Sequence, residues 1–553
     1  MSSPEQGGSL AAETLRRLGV EVVYALPGGH VDPLLRSLGP AGVELVVTRH
    51  EEGAVLMAGG HALATGRPAV ACVTAGPGLA NAVGGIAEVH ASGLPVVVIA
   101  GRTGLVQRGR GAVQDLDQAA LVAPVTKWRA TCFETARIPE YVEAALHHAS
   151  TGSPGVAYLE IPDDVLKGAA ELSLSPLGPG HRLPSRPVPD ATTLGGMVDL
   201  LAGAERPVVL AGSGAFFSGA GPALEGFAER TGIPVVTTSA ARGLIPDGHP
   251  CCVGGLVHGG AVTLSADVVL LLGSRFNANL LYGRPPLFAP DGRVIQVDLD
   301  PEHLGGQRVP AMAVVGDVAA TLEALRTAWE LPSDRFDGWR ADALGAAAAS
   351  RDQWAAEASR PAAGIHPGRL AEATARFAAA RRAPFVVDGG NSVLWGLAFA
   401  EAWAPGSHLF IGSAMGTLGV GLPFSIAAAG AWDRPAVLFT GDGAFGLSAI
   451  EVDTAARSGR GLMVVVVNNG GWSDDLPASD EAGPSARSTM RYDLLATAVG
   501  GHGERIETFD RAPEALERAW TAAEEGRCAV IDAVCDPKVV SELMVGMGSL
   551  GVM

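Results

Sequence analysis

Short continuous apolar runs recur along the chain, alternating with Ala-rich stretches whose apolar positions return at helical spacing. The runs include residues 43–48, 69–73, 96–100, 208–211, 268–272, 294–297, 385–387, 436–440 and 462–467. A strand covered on both faces reads as an unbroken apolar run, which is how parallel sheets clad in helices appear in sequence. Most runs are followed closely by Gly, Asp, Asn or Ser, residues that turn a strand into a loop. The pattern predicts an α/β protein built of several doubly wound parallel-sheet domains. Two breaks divide it. Residues 172–190 are rich in Pro and Gly with little periodicity and read as a linker. A second break near 330–337 precedes an Ala-rich polar helix over 339–360 that leads to His366. Three units are expected, at 5–170, 190–330 and 365–535, followed by a tail at 536–553.

Composition narrows the class. With 48% apolar and 18% charged residues the chain is too hydrophobic to stay disordered. No apolar run approaches the roughly 18–20 residues that cross a bilayer, so no membrane partner is expected. The opening MSSPEQGGSL shows no basic region followed by an apolar stretch, so no secretory signal is expected. A net charge of −18 repels phosphate backbones and makes nucleic acid an unfit main partner. The six cysteines form no Cys-x-x-Cys pair, and adjacent Cys251 and Cys252 are badly placed to bridge each other, which points to a reducing, cytoplasmic setting.

The strongest chemical signal is Gly441-Asp442-Gly443-Ala444, followed by a helix through 450–457, the run 462–467 and then Asn468-Asn469-Gly470-Gly471. In a βαβ unit this places Asp442 and Asn469 at the carboxyl ends of two parallel strands, the edge where such sheets bind ligands. Gly443 lets backbone N–H groups approach an anion at a helix N-terminus. A carboxylate, a carboxamide and a glycine carbonyl form a hard-oxygen set suited to Mg²⁺, which completes its shell with phosphate oxygens and water. Read singly, Gly-Asp-Gly is a common turn and Asn-Asn-Gly a common loop.

The combination resembles the thiamine-diphosphate enzymes, whose fingerprint is GDG, about two dozen residues, then NN. That resemblance implies that Asp442, Asn469 and the carbonyl of Gly471 hold Mg²⁺ against the cofactor diphosphate, beside Gly441, Gly443 and Ala444. Gly389-Gly390-Asn391-Ser392 matches a second diphosphate-contacting turn. Gly416-Thr417-Leu418-Gly419 matches the segment beneath the thiazolium ring, with Leu418 bending the cofactor and the Gly416 carbonyl accepting from its aminopyrimidine. Taken alone, that stretch also reads as glycines for helix packing.

Residues 48–54 (TRHEEGA) end a strand, open a helix and match the family's Arg-His-Glu segment. Glu51 then takes the position that activates the cofactor through its pyrimidine N1′, while Glu52 reads as a first-turn acid favoured by the helix dipole. The resemblance covers nearly the whole chain, in the order pyrimidine-binding, middle and diphosphate-binding domains. It implies three doubly wound α/β domains, and a homo-oligomer in which Glu51 of one subunit serves Asp442 of another, as a dimer or tetramer.

Within the family the chain resembles the branch of acetolactate synthase, 2-hydroxyacyl-CoA lyase and benzaldehyde lyase. Residues 115–128 look like a benzaldehyde lyase segment, Gln114 matches that enzyme's active-site glutamine, and Pro27-Gly28-Gly29-His30 places a histidine where it has one. A neutral imidazole could shuttle the proton of a substrate hydroxyl; His30 could equally cap a helix. Gly29 and Asp474 are substrate-pocket candidates. Trp472 matches benzaldehyde lyase and is a cofactor-contact candidate. Asp474 departs from that enzyme, and a carboxylate there disfavours anionic 2-oxoacids, unless it belongs to a solvated loop. Residues 274–286 resemble 2-hydroxyacyl-CoA lyases, and 297–301 lie near where some members bind FAD or ADP, although nothing demands a nucleotide. The expected activity is a thiamine-diphosphate- and Mg²⁺-dependent lyase or carboligase on small 2-hydroxy ketones and aldehydes. The alternatives are a 2-oxoacid decarboxylase or acetolactate-type synthase, a 2-hydroxyacyl-CoA lyase, and a non-catalytic assembly subunit, which has no need for Glu51, Asp442 and Asn469 together. The Gly-rich tail 542–553 is expected to fold over the site as a lid.

Overall fold

The computed structural model describes residues 4–171, 185–410, 415–471 and 490–549, without the side chains of 547–549. Eight of the nine apolar runs named above lie within strands and 43–48 contains the strand Glu44–Val47, and the strands form three six-stranded sheets whose neighbours are all parallel. A two-stranded antiparallel pair, Glu5–Gln6 with Ala169–Ala170, closes the first unit.

The first sheet runs Glu44–Val47, Val22–Ala25, Ala69–Val73, Val96–Arg102, Ala157–Pro162, Trp128–Thr131. The second runs Cys252–Gly255, Val235–Thr237, Pro207–Ala211, Val268–Leu272, Arg293–Asp298, Met312–Val315. The third runs His408–Leu409, Phe385–Asp388, Ala436–Gly441, Leu462–Asn468, Cys528–Val534, His502–Ile506. Central strands are buried along their length, as in Val96–Arg102 and Leu462–Asn468, because helices cover both faces.

In each sheet the chain starts in the interior, builds one way, then returns and builds the other way. The two strands flanking that reversal send their following loops apart and leave a crevice at their carboxyl ends. The crevice falls between Val22–Ala25 and Ala69–Val73 in the first sheet, between Pro207–Ala211 and Val268–Leu272 in the second, and between Phe385–Asp388 and Ala436–Gly441 in the third.

The first and third sheets share one continuous core. Its seam is the helix Glu51–Thr65 packed on the helix Gly421–Trp432, close enough that a Cβ on Gly60 would lie 2.7 Å from the Phe424 Cα. The helix Asp337–Ala358 links the second unit to the third.

Candidate functional site

The crevice of the third sheet is where the Gly-rich turns meet. Gly389 has φ +109°, and a Cβ there would lie 2.3 Å from the Ser392 hydroxyl and 2.9 Å from the Gly441 nitrogen, so only glycine lets the two strand-end turns touch. A small cavity of about 30 Å³ opens beside them. It is lined by Gly390, Asn391, Ser392, Leu418, Gly441, Asp442, Gly443, Ala444 and Gly471 together with Val467. Nine residues chosen on sequence thus surround one space.

Asp442 is buried at the start of the helix Asp442–Ser448. Its carboxylate accepts from the Gly443 N–H at 2.9 Å and the Gly470 N–H at 3.0 Å. Burial nevertheless pushes this carboxyl up to about 6, outweighing those donors. The two asparagines divide at the strand end. Asn468, the last residue of its strand, is buried and donates to Asp532 at 2.7 Å, whereas Asn469 lies beyond the strand and half-buried, and its amide oxygen accepts from the Gly471 N–H. The Asp442 carboxylate, the Asn469 carboxamide and the Gly471 backbone supply hard oxygens, and the glycine turns leave room for an anion; the set fits Mg²⁺ and a diphosphate. Among the described residues no three His, Cys, Asp or Glu side chains gather as a metal site.

Two contacts in this crevice had no signal in the sequence. Asp388, fully buried, accepts from the Gly389 N–H at 2.7 Å and the Gly421 N–H at 2.8 Å, and so ties the 389–390 turn to the segment carrying Gly416 and Leu418; burial pushes its carboxyl up to about 6. Asn391 uses its carboxamide on the chain end, donating to the Val539 carbonyl at 2.7 Å and accepting from the Ser541 N–H at 3.4 Å. Gly416 (φ +63°) is exposed and Leu418 half-buried at the mouth of the crevice. Trp472 and Asp474 lie outside the described residues.

Glu51, His30 and Gln114 do not line that cavity. They gather instead at the carboxyl edge of the first sheet. Glu51 is buried at the first turn of its helix, where its carboxylate accepts from Asn81 Nδ2 at 3.1 Å. His50 caps that helix by accepting from the Glu52 N–H. The turn before Glu51 is held from the third unit: the buried Glu451 carboxylate accepts from the Arg49 N–H at 3.1 Å and the His50 N–H at 3.0 Å. Burial raises the Glu451 carboxyl, against those donors and the Thr454 hydroxyl. His30 is half-buried and does not cap the next helix, Asp32–Ala41, whose cap position is Val31. Gly29 beside it is exposed, and Gln114 adopts φ +65°.

The crevice of the second sheet opens on a much larger cavity of about 1150 Å³. Ser213, Gly214, Ser274, Arg275 and Asp298 line it from the middle unit, Gly389, Gly416 and Leu418 from the third, and Leu543 and Met544 from the tail helix Glu542–Ser549.

Family models agree with this geometry. The thiamine pyrophosphate enzyme N-terminal TPP binding domain matches residues 5–121, the central domain 194–325 and the C-terminal TPP binding domain 388–533. A probable acetolactate synthase of Mycobacterium bovis is 32% identical over 542 residues, covering 96% of each chain. A 2-hydroxyacyl-CoA lyase of Oryza sativa subsp. japonica is 31% identical over 97% of this chain and 96% of its own. The human 2-hydroxyacyl-CoA lyase 1 is 28% identical over 96% of this chain and 95% of its own.

Proposed function

The chain belongs to the thiamine pyrophosphate enzyme family, and from that premise we propose that it is a Mg²⁺-dependent carbon–carbon lyase and carboligase acting on small 2-hydroxy ketones and aldehydes. Thiamine diphosphate, when bound, would supply the carbon nucleophile that cleavage or formation of a carbon–carbon bond beside a carbonyl requires. Asp442, Asn469 and the Gly471 carbonyl hold the metal, and the turns at 389–392 and 441–444 receive the diphosphate. Leu418, which lines the same cavity, would pack against the cofactor. The Glu51 carboxyl, oriented by Asn81, moves a proton at the cofactor's pyrimidine. His30 and Gln114 hold and relay the proton of the substrate hydroxyl.

The observation that carries this reading is the separation of two groups within one chain. Asp442, Gly471 and the diphosphate residues 390–392, 441, 443 and 444 line a cavity formed wholly by the third unit, with Asn469 outside its lining, and the proton-handling residues lie at the edge of the first. A second subunit presenting its Glu51 edge completes the site, so we propose a homodimer, or a tetramer of two such pairs. Leu447 and Ile450, 61% and 60% exposed just after the Asp442 turn, give that partner an apolar footing. Among the described residues no helix is long and apolar enough to cross a membrane, and the six cysteines are free and buried; we place the protein in the cytoplasm.

The large cavity supports a second reading, a 2-hydroxyacyl-CoA lyase, since Ser274, Arg275 and Asp298 face a space of nucleotide size. A product screen of the purified holoenzyme with benzoin, benzoylformate, pyruvate, formaldehyde and a 2-hydroxyacyl-CoA separates the readings. Cleavage of benzoin or ligation of aldehydes is expected. Turnover of the 2-hydroxyacyl-CoA with retained ADP supports the second reading, and turnover of pyruvate alone with bound flavin refutes both.

A further inference from the structure

His30 and Gln114 are far apart in sequence, yet each rests on a backbone point held by the same buried side chain. Gln118 opens the short helix Gln118–Leu121 and is wholly buried. Its Oε1 accepts from the Gly76 N–H at 2.7 Å, and its Nε2 donates to the Gly101 carbonyl at 2.9 Å and the Tyr158 hydroxyl at 3.1 Å. Gly76 lies in the turn after the strand Ala69–Val73, with φ +62°, and Gly101 near the end of the neighbouring strand Val96–Arg102. A Cβ on Gly76 would lie 2.8 Å from the Gln114 Cβ, and one on Gly101 would lie 2.6 Å from the His30 Cβ. Each relay candidate therefore packs directly on the backbone that Gln118 grips. Two residues beyond Gly76, a Cβ on Gly78 would lie 3.6 Å from the Glu51 Oε1, so the same turn also borders the Glu51 carboxylate.

We propose that Gln118 is a positioning residue: its carboxamide locks the Gly76 turn to the end of the Val96–Arg102 strand and so fixes the spacing of Gln114 and His30. This rests on the relay roles given to those two residues. A carboxamide suits the place, because one side faces an N–H and the other faces oxygens, and only a side chain with an acceptor and a donor satisfies both. The oxygens behind it are already engaged. Glu160, wholly buried, pairs with Arg102 and accepts from the Thr131 hydroxyl at 2.6 Å and the Tyr158 hydroxyl at 3.1 Å, which leaves the Gln118 amide one orientation. Gln118 lies in the first unit and does not line the diphosphate cavity, so its loss should leave the metal and diphosphate contacts in place.

The test uses the full-length holoenzyme carrying Gln118→Met, Gln118→Glu, His30→Ala, Gln114→Ala and the Gln118→Met/Gln114→Ala double, with the donor that gives product in the screen. Gln118→Met is expected to lower kcat by about tenfold or more, with thiamine diphosphate and Mg²⁺ affinity within about twofold and faster amide exchange over residues 74–78. The double is expected to lose clearly less than the sum of the two single losses, because part of the Gln118 effect runs through Gln114 and the rest through His30. Gln118→Glu keeps the shape should Gln118→Met fail to fold. Its carboxyl faces Tyr158 and Glu160, with Arg102 behind; neutral it remakes both bonds, ionised it loses the donor. Its kcat relative to wild type should rise as the pH is lowered from about 8 to about 6. Fully additive losses, a flat pH ratio or unchanged exchange would overturn the proposal. Turnover kept in both His30→Ala and Gln114→Ala would overturn the relay itself. Turnover lost in those two but kept in Gln118→Met would overturn the positioning role alone.

Discussion

Glu51 and Asp442 are both carboxylates at the start of a helix that follows a parallel strand, and their neighbours set them to different work. Glu51 takes one side-chain donor, Asn81, whereas Asp442 takes two backbone N–H groups beside an asparagine and a glycine carbonyl. Substitution should separate the two. Glu51→Gln keeps shape and volume, so thiamine diphosphate and Mg²⁺ affinity should stay within about twofold while turnover falls about a hundredfold or more. Asp442→Ala should abolish Mg²⁺-dependent cofactor retention, measured as thiamine diphosphate left on the protein after desalting. Normal turnover in the first variant, or unchanged retention in the second, would refute the assignment. The motif contains two asparagines, and the family resemblance alone singles out Asn469. In the structure Asn468 donates to Asp532 inside the sheet, whereas Asn469 lies beyond the strand end.

At the scale of elements, what the sequence reveals is what lies close in sequence. Nine apolar runs read as strands, and the glycine and aspartate after 440 mark a strand end, because burial on two faces and a sharp turn each leave a local imprint. What joins these pieces leaves none. Glu451 grips the turn before Glu51 across some 400 residues, and Asp388 and Gln118 are buried polar residues whose types read as surface in a linear pattern. The short strand His408–Leu409 is likewise set by pairing with Phe385–Asp388 rather than by its own composition. The tail combines both cases. Its Gly-rich apolar character is visible, but its anchorage, Asn391 to Val539 and Ser541 and Glu357 to the Glu542 N–H, is tertiary. Since Leu543 and Met544 face the large cavity, deleting 543–553 should raise KM severalfold and lower the melting temperature by only a few degrees. Unchanged KM and product distribution would show that the tail is no lid.

At the scale of the molecule, three sheets place three crevices, of which two bear the proposed halves of the site and the third opens on the large cavity. The halves are joined within the chain by the packing of Glu51–Thr65 on Gly421–Trp432, so unfolding of the first unit should carry the third with it. This shared interior also buries histidines. Burial lowers His61 to about 4 in the first unit, His258 to about 4 in the second and His408 to about 3 in the third. An unfolded histidine titrates near 6.5, so between about pH 4 and 6.5 the unfolded chain binds more protons, and stability is fully present above that window and lost as the pH falls through it. Asp247 acts in the same direction at still lower pH, since the Arg242 guanidinium outweighs its burial. Asp388 and Asp442, raised to about 6 by burial, oppose this: their contribution is greatest below about pH 4 and shrinks as the pH rises through 6. The histidine shifts are larger and lie in all three units, so they prevail. The melting temperature should hold level from about pH 7.5 to 6.5 and fall between about pH 6 and 4.5 in one transition seen by both near-UV circular dichroism and tryptophan fluorescence. A melting temperature that rises over that acid range, or two separated transitions, would mean that the buried histidines do not govern acid stability or that the shared core does not couple the units.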